Sequence, residues 1–240
     1  MNENRYRLSR VARIVRRGAE GDAHAEREGV GFYDHWDSDI ANFDAFFAGV
    51  LKPFKSIGEY VASNYEKRKG QLIGVEFGGP ARKLFQDLNV ENIFSHSAGF
   101  VLRDHRSEAE KHQDIERHHE VVESDVFFKD GAHELSWRSV EKWFSEHGRP
   151  DLIIERMVQG IDLIRRPDLF AAIVSRWHAV LSDDGTMLVE VPKVFTAGQL
   201  AKLQQIFEQS PKFADSELKF DFGSTHKTML IRRRKEVGTI

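Results

Sequence analysis

The stretch at residues 71–88, QLIGVEFGGPARKLFQDL, decides the fold class of this chain. An apolar run over 72–77 stops at the turn Gly78-Gly79-Pro80, and apolar residues then recur at helical spacing, at Ala81, Leu84, Phe85 and Leu88. This pattern predicts a strand, a tight glycine turn and a helix. Glycine lets the backbone approach a ligand closely, and the start of a helix offers unpaired N–H groups. The stretch therefore predicts a nucleotide-type binding cradle.

The composition is typical of a globular protein. Of 240 residues, 40% are hydrophobic and 30% are charged, and no apolar run approaches the roughly 18 residues of a spanning helix. The formal charge of −3 gives no global argument for nucleic-acid binding. Cysteine is absent, which excludes disulfides and cysteine-based catalytic or metal sites. We therefore expect a cytoplasmic protein with no membrane partner, and the oligomeric state stays open.

The N-terminal part of the chain predicts a helical extension. Arginines interleave with apolar residues over 5–17, which we interpret as a solvated arm or helix. Aromatic residues crowd positions 32–54, where two helices are expected: 39–51 with Asp37 or Ser38 as its N-cap, and Pro53 to about residue 67. We interpret 1–52 as an extension or lid and 53–240 as the main domain. Tyr33 and His35 carry polar groups in a predicted loop, so they are candidates to cover a ligand.

From residue 71 onward, strand-length apolar runs alternate with helical patterns, as in a parallel, doubly wound sheet. The predicted strands lie at 72–77, 98–102, 120–122, 151–154, 186–191, 217–222 and 227–233. The later helices are expected at 107–117, 137–147 with Ser136 as N-cap, 167–181 and 197–209. The last two strands are too close for a parallel crossover and should pair antiparallel. The predicted fold is α/β and Rossmann-like, mostly parallel with an antiparallel C-terminal hairpin, and preceded by N-terminal helices.

Four acidic residues lie at the ends of predicted strands: Glu76, Asp104, Asp125 and Glu155. In open parallel sheets, ligands bind outside the carboxyl ends of the strands, near the switch in strand order. Carboxylates there can accept hydrogen bonds from ribose hydroxyls or from an exocyclic amine. A single strand-end carboxylate is more often solvated, so only the four together indicate a nucleotide-like ligand.

The order of elements over roughly 53–234 resembles that of the class I S-adenosylmethionine-dependent methyltransferases. Glu76, Gly78 and Gly79 stand where that family has an acidic residue and a glycine turn, and 181–192, LSDDGTMLVEVP, resembles its turn and fifth strand. The resemblance implies S-adenosylmethionine as cofactor, with Asp104 at the ribose and Asp125 and Val126 at the adenine. The full set of implied cofactor-binding residues is Glu76, Gly78, Gly79, Ala81, Arg82, Asp104, Asp125 and Val126.

The glycine turn departs from the family pattern of three alternating glycines. Pro80 and Arg82 occupy the second and third positions, and proline removes one N–H donor. Arg82 is either a solvated side chain or a bidentate partner for the methionine carboxylate of the cofactor. Ribose 2′-O RNA methyltransferases of this fold use a lysine before the fourth helix and a glutamate on the fifth strand. Glu190 matches the second, but Glu155 and Arg156 supply no lysine, which counts against that subfamily.

Methyl transfer from a sulfonium depends mainly on aligning the reacting groups and excluding water, and in some cases on removing a proton. Glu155 is the candidate for orienting the acceptor or removing its proton, and an ion pair with Arg156 is the equal alternative. Tyr33 and His35 are further catalytic candidates. Glu108, His112, His118 and His119 offer no complete metal-ligand set, so they predict a charged, solvated helix.

Three functions stay open at this point. The leading one is methyl transfer to an acceptor that is most simply a small molecule, with nucleic acid or protein as other acceptors. The second is a catalytically silent methyltransferase-like domain that binds a partner, which the altered turn at Pro80 favours. The third is a nicotinamide dinucleotide enzyme, which we place well behind because the spacing G-x-G-x-x-G is absent.

Overall fold

The computed structural model of the chain describes residues 37–89, 92–101, 104–124, 126, 137–156, 164–223 and 225–234. Its helices are α1 (Ile40–Leu51), α2 (Ile57–Tyr65), α3 (Arg82–Leu88), α4 (Glu108–Glu116), α5 (Arg138–His147), α6 (Pro167–Val180) and α7 (Ala197–Gln209). Its strands are β1 (Leu72–Phe77), β2 (Phe94–Val101), β3 (His119–Glu123), β4 (Leu152–Glu155), β5 (Thr186–Glu190), β6 (Ser216–Asp221) and β7 (Thr228–Arg233). Short 3₁₀ turns at Glu66–Arg68 and Pro211–Phe213 complete the described elements.

Within these residues, seven strands form one sheet in the order β3-β2-β1-β4-β5-β7-β6. Strands β1 to β5 pair in parallel, whereas β7 runs antiparallel to both β5 and β6. The predicted fold class is therefore confirmed. The strand order reverses between β1 and β4, so the carboxyl ends of these two strands form the topological switch point, where ligands bind in open α/β sheets.

Helices cover both faces of the sheet, because successive strand residues point to opposite sides. On one face, Val75 and Phe77 of β1 pack in a cluster with residues of α5, α6 and α7, among them Trp177. On the other face, Ile154 and Leu188 pack in a cluster with residues of α1, α2 and α3. Helix α1 packs on β6 and β7 at the hairpin end of this second face. The described N-terminal helix is therefore part of the cover of the sheet.

The predicted start of α1 at residue 39 is one residue early, and neither predicted N-cap is the observed one. Asp39 is the N-cap, and its carboxylate accepts a hydrogen bond from the Asn42 N–H at 3.0 Å. Asp37, one of the two predicted caps, instead accepts from the backbone N–H of Lys83 at 3.1 Å. Asp37, Ser38 and Asp39 are all short polar residues that suit an N-cap, so the sequence alone does not show which of them caps the helix.

The predicted start of α2 at Pro53 is also wrong. Pro53 follows a cis peptide bond and lies in the connection between the helices. Ser56 is the N-cap, and its hydroxyl accepts from the Glu59 N–H at 3.0 Å. The Asp44 carboxylate of α1 accepts from the Ile57 N–H at 2.7 Å, so a contact between the two helices fixes where the second one begins.

The other helices lie close to their predicted ranges, and α7 matches residue for residue. Trp137 is the residue before α5, and Ser136, the predicted cap, lies outside the described residues. The division between 1–52 and 53–240 stays a prediction. Among the helices described, none combines the length and the apolar character that crossing a bilayer requires.

Candidate functional site

Three buried glutamates mark the carboxyl ends of β1, β4 and β5. Glu76, Glu155 and Glu190 have exposed fractions of 4%, 1% and 1%. Glu155 pairs in register with Phe77 of β1 and Val189 of β5. Glu76 is the residue before Phe77, and Glu190 is the residue after Val189. Because neighbouring residues of a strand face opposite sides, Glu76 and Glu190 face α1 while Glu155 faces α6. Carboxyl groups therefore lie on both sides of the sheet at the switch point.

Glu76 lies directly beneath the glycine turn. A methyl group on Gly79 would lie 2.4–2.5 Å from the Glu76 carboxyl atoms, so any side chain at this position would have to displace that carboxyl group. Burial raises the pKa of Glu76 to about 8, although the Arg156 charge and a hydrogen bond from the Ala81 N–H act in the opposite direction. At neutral pH this carboxyl group is mostly protonated.

The turn itself lies against strand β2. Gly78 has a φ of +98°, which favours glycine, and its N–H donates to a β2 carbonyl at 2.8 Å. A methyl group on Gly99 of β2 would lie 2.3–2.4 Å from the carbonyl oxygens of Gly79 and Pro80. Ala81, the residue before α3, also has a left-handed backbone, with a φ of 54°. The Gly-Gly-Pro turn is thus held close to the sheet.

His119 fixes the turn from the side of β3. Its Nε2 lies 2.7 Å from the Pro80 carbonyl oxygen and its Nδ1 lies 2.8 Å from Ser97 Oγ. A carbonyl oxygen only accepts, so Nε2 carries the proton and Nδ1 accepts from the serine hydroxyl. Burial lowers the pKa of His119 to about 4, which keeps the ring neutral.

The prediction of a solvated helical segment is therefore wrong for His119, which is a buried residue of strand β3. The helix α4 ends at Glu116, and the chain then returns to the sheet beside β2. Within the described ranges, no group of three or more histidine or acidic side chains is arranged to hold a metal ion.

Arg82 is bound by carboxylates of the chain itself. Its Nε donates to both carboxylate oxygens of Asp114, at 2.7 and 2.9 Å, and its Nη1 donates to Glu110 at 2.8 Å. Asp37 lies 3.7 Å from the same guanidinium group. The side chain is only 10% exposed, so the solvated alternative does not describe it. A bond from Arg82 to a cofactor carboxylate stays a proposal, and it requires Arg82 to share or exchange these partners.

Asp104 is held by Arg106, whose backbone N–H and Nε donate to Oδ1 at 3.0 Å and whose Nη2 donates to Oδ2 at 2.9 Å. Burial alone would raise the pKa of Asp104, but the Arg106 bonds outweigh it and the pKa is lowered. A carboxylate has about four lone-pair positions, and among the described residues Arg106 occupies three of them on Asp104, which leaves one for a further donor. Arg106 also donates to Asp114, so Asp104 and Arg82 belong to one ionic network.

The structure places the remaining candidates unevenly. Val126 is buried at 3% exposure, and its carbonyl accepts from the Trp177 indole N–H at 2.8 Å. Asp125, Tyr33 and His35 lie outside the described residues. The residues brought together at the end of β1 are therefore Glu76, Gly78, Gly79, Ala81 and Arg82.

A second group of residues, which the sequence did not reveal, lies on the α1 side of the same edge. The Arg156 guanidinium carbon is 5.0 and 5.3 Å from the ring centroids of Phe43 and Phe46, and Arg156 donates to Asn42. Arg156 therefore contacts α1, and its pairing with Glu155 stays a prediction. The helical spacing of the two phenylalanines was the one available signal, and it indicated only a buried helix face.

Phe46 is the centre of this group. The His226 ring centroid is 3.8 Å from the Phe46 centroid, and Lys193 Nζ is 5.9 Å from it. Lys193 Nζ also lies 3.6 Å from the Glu190 carboxylate. Burial lowers the pKa of His226, and the nearby charges of Lys193 and Arg156 add to this effect. We call Phe46, Arg156, Lys193 and His226 the Phe46 cluster.

Known proteins share this fold at low sequence identity. No protein-family model and no curated protein matches the chain. The 1,6-didemethyltoxoflavin-N1-methyltransferase of Burkholderia thailandensis, solved with 1,6-didemethyltoxoflavin and S-adenosylhomocysteine, is 15% identical with a TM-score of 0.52, covering 98% of this chain and 91% of that one. An rRNA methylase from Streptococcus thermophilus is 7% identical with a TM-score of 0.43, covering 74% and 93%. The N-methyltransferase NodS of Bradyrhizobium japonicum is 11% identical with a TM-score of 0.40, covering 74% and 94%.

The similarity to the Burkholderia enzyme, together with the strand order, establishes the fold of this chain as that of the class I S-adenosylmethionine-dependent methyltransferases. The resemblance in the order of elements is thus confirmed for the fold.

Proposed function

We propose that this protein is an S-adenosylmethionine-dependent methyltransferase whose acceptor is a small molecule. One observation carries the proposal: buried carboxyl groups of Glu76 and Glu155 lie at the carboxyl ends of β1 and β4, the two strands between which the order reverses. In a sheet of this type, that position is where a ligand binds. Burying carboxyl groups costs free energy, so their presence at this edge points to a role beyond packing.

The residues at the end of β1 fit the cofactor. S-adenosylmethionine, when bound, supplies an electrophilic methyl group on a positively charged sulfur. Glycine at positions 79 and 99 lets the turn and the sheet approach each other without side chains between them. Glu76 would hold the cationic part of the cofactor, and the remaining lone pair of Asp104 would accept from a ribose hydroxyl. Asp125 and Val126 stay proposed for the adenine.

Glu155 is the residue proposed to act on the acceptor. It is buried at the carboxyl end of β4, directly before Arg156 in the chain, where its oxygens can orient an acceptor at this edge of the sheet or take its proton. Tyr33 and His35, from the N-terminal part of the chain, are proposed to complete the site and to exclude water. Water exclusion matters because it strengthens every electrostatic contact in the site.

A second candidate function is a catalytically silent domain that binds a partner. The observation in its favour is that polar groups predicted for the cofactor already have partners within the chain. Arg82 binds Asp114, and Asp104 is held by Arg106. A site whose polar groups satisfy one another gains less from a ligand than a site with open groups.

Calorimetric titration of the full chain with S-adenosylmethionine and S-adenosylhomocysteine separates the two functions. We expect both to bind, and we expect Asp104→Ala to weaken binding by about 10- to 150-fold, since a hydrogen bond to a charged group is worth roughly 1.5–3 kcal/mol. Asp183→Ala is the matched control, because Asp183 is 83% exposed and lies in the turn before β5. A folded chain that binds neither compound would reject the methyltransferase proposal and leave the silent domain as the remaining candidate.

Transfer is then tested with labelled S-adenosylmethionine and a metabolite extract. Glu155→Gln should keep cofactor affinity within about twofold and lose labelled product, since we place it at the acceptor. A Glu155→Gln protein that transfers methyl groups at the parent rate would remove Glu155 from the reaction.

A further inference from the structure

We infer that the Phe46 cluster is the acceptor subsite and that it selects a planar acceptor bearing a negative charge, such as an aromatic or heteroaromatic carboxylate. This inference rests on the proposed methyl transfer, and it names the substrate class. It draws on the side chains at the carboxyl edge on the α1 side, which the cofactor proposal does not use.

The cluster is assembled from four separate parts of the chain that meet at one edge. Phe46 comes from α1, Arg156 follows β4, Lys193 follows β5 and His226 precedes β7. Strand register explains the meeting, because β4, β5 and β7 are neighbours and β7 begins opposite the end of β5, with Thr228 paired to Glu190. A group gathered from such distant positions belongs to the same edge of the sheet as the switch point.

The contacts around Phe46 favour a flat ligand. The His226 and Phe46 rings lie 3.8 Å apart at an interplanar angle of 34°, and the Arg156 guanidinium carbon lies 5.0 and 5.3 Å from the centroids of Phe43 and Phe46. Phe46 and His226 are each only partly buried, so part of this aromatic surface faces solvent. Aromatic rings prefer to pack against other flat π systems and against guanidinium planes. A planar acceptor is the ligand that extends this stack.

The charges around Phe46 favour an anion. Arg156 and Lys193 both lie within 6 Å of the Phe46 centroid, and both charges act on His226. Two positive charges at one edge of the sheet attract an anion. Glu190 faces the same side and lies near Lys193, while Glu76 is mostly protonated at neutral pH. An arginine is also well suited to bidentate binding of a carboxylate.

A purely structural role, in which the cluster only ties α1 to the sheet, makes a different prediction for Lys193. The Lys193 side chain is 53% exposed, so its charge contributes little to holding the helix. Its removal takes a positive charge away from the buried Glu190 carboxylate, so any loss of stability is expected in both cases and does not separate them. Only a ligand-binding role makes Lys193 matter for the affinity of a small anion.

The test uses salicylate and its neutral analogue salicylamide, which share a ring and differ in charge. Titration into the full chain, at low salt and with S-adenosylhomocysteine present, should give at least tenfold tighter binding of salicylate. Lys193→Gln should weaken salicylate binding at least fivefold, and Arg156→Gln at least tenfold. Lys202→Gln, an exposed lysine on α7, is the matched control and should bind salicylate as the parent does.

Equal binding of salicylate and salicylamide, or equal affinities for Lys193→Gln and Lys202→Gln, would overturn the subsite. Cofactor binding is measured separately, so the two proposals fail in different ways. S-adenosylhomocysteine binding without any preference for salicylate rejects the subsite alone. A charge preference that depends on Lys193, in a chain that binds no S-adenosylhomocysteine, rejects the methyltransferase assignment and with it the role of the cluster as an acceptor subsite.

Discussion

Replacing Glu76 by glutamine should remove the part of the pH dependence of folding stability that Glu76 causes. The unfolded chain releases this proton near pH 4.5, whereas burial raises the pKa of Glu76 to about 8 in the folded protein. Between these values the folded state binds more protons than the unfolded state, so stability falls as the pH rises. A glutamine cannot titrate, and it has nearly the same shape.

The size of the effect follows from the shift. Each pH unit between 4.5 and 8 removes about 1.4 kcal/mol, which sums to about 5 kcal/mol over the whole range. Urea unfolding at pH 5, 6.5 and 8 should show Glu76→Gln gaining stability relative to the parent protein as the pH rises, with little difference at pH 5. Glu208→Gln, on the exposed side of α7, is the control.

Two parallel curves for the parent and Glu76→Gln would refute this reasoning, because they would mean that the buried carboxyl group keeps an ordinary pKa. The same ionisation bears on cofactor binding. A cationic ligand is favoured by the ionised form of Glu76, so the affinity for S-adenosylmethionine should rise severalfold between pH 6.5 and 8.5.

Three further changes test the surroundings of the site. His119→Ala removes both hydrogen bonds of the ring and should lower the free energy of unfolding by about 2–4 kcal/mol. The pKa of His119 is lowered to about 4, so the parent protein loses stability as the pH falls from 6.5 to 4. Urea unfolding should show a smaller loss over this range in His119→Ala. Gly99→Ala places a methyl group on the turn carbonyls and should lower both the melting temperature and the cofactor affinity, whereas Gly198→Ala, with no atom within 4 Å, should not. Thr186→Val removes the hydroxyl that meets two buried tyrosine hydroxyls and should cost about 1–3 kcal/mol in calorimetric unfolding; no change in melting temperature would contradict it.

The central strands β1, β4 and β5 were predictable because burial on both faces leaves continuous apolar runs, such as Leu72–Phe77, whereas β2 begins four residues before its predicted start. Helix α7 was predictable to the residue because Thr196 and Gln199 form a capping box that is local in sequence. The starts of α1 and α2 were mispredicted because contacts with other parts of the chain choose among equivalent caps. The Asp44 bond to Ile57 is one such contact.

The site divides in the same way. The position of Glu76 and the glycines could be predicted, since strand, turn and helix are consecutive in the chain. The partners of Arg82 could not, because Asp114 lies 32 residues away and only the packing of α4 brings it close. The Phe46 cluster was beyond sequence reasoning for the same reason, as Phe46 and His226 meet only once α1 covers the hairpin.

The position of α1 has a consequence for handling the protein. The helix buries Phe43 and Phe47 in the cluster that includes Leu188 and Leu230, and Gly49 lies so close to Asp221 of β6 that an added methyl group would be 1.5 Å from the carboxylate. A truncation that begins at residue 53 would uncover this apolar surface next to the edge strand β6. Such surfaces drive aggregation. Shortened forms of the protein, whether designed for crystallisation or produced by limited proteolysis, should therefore keep residues 37–52.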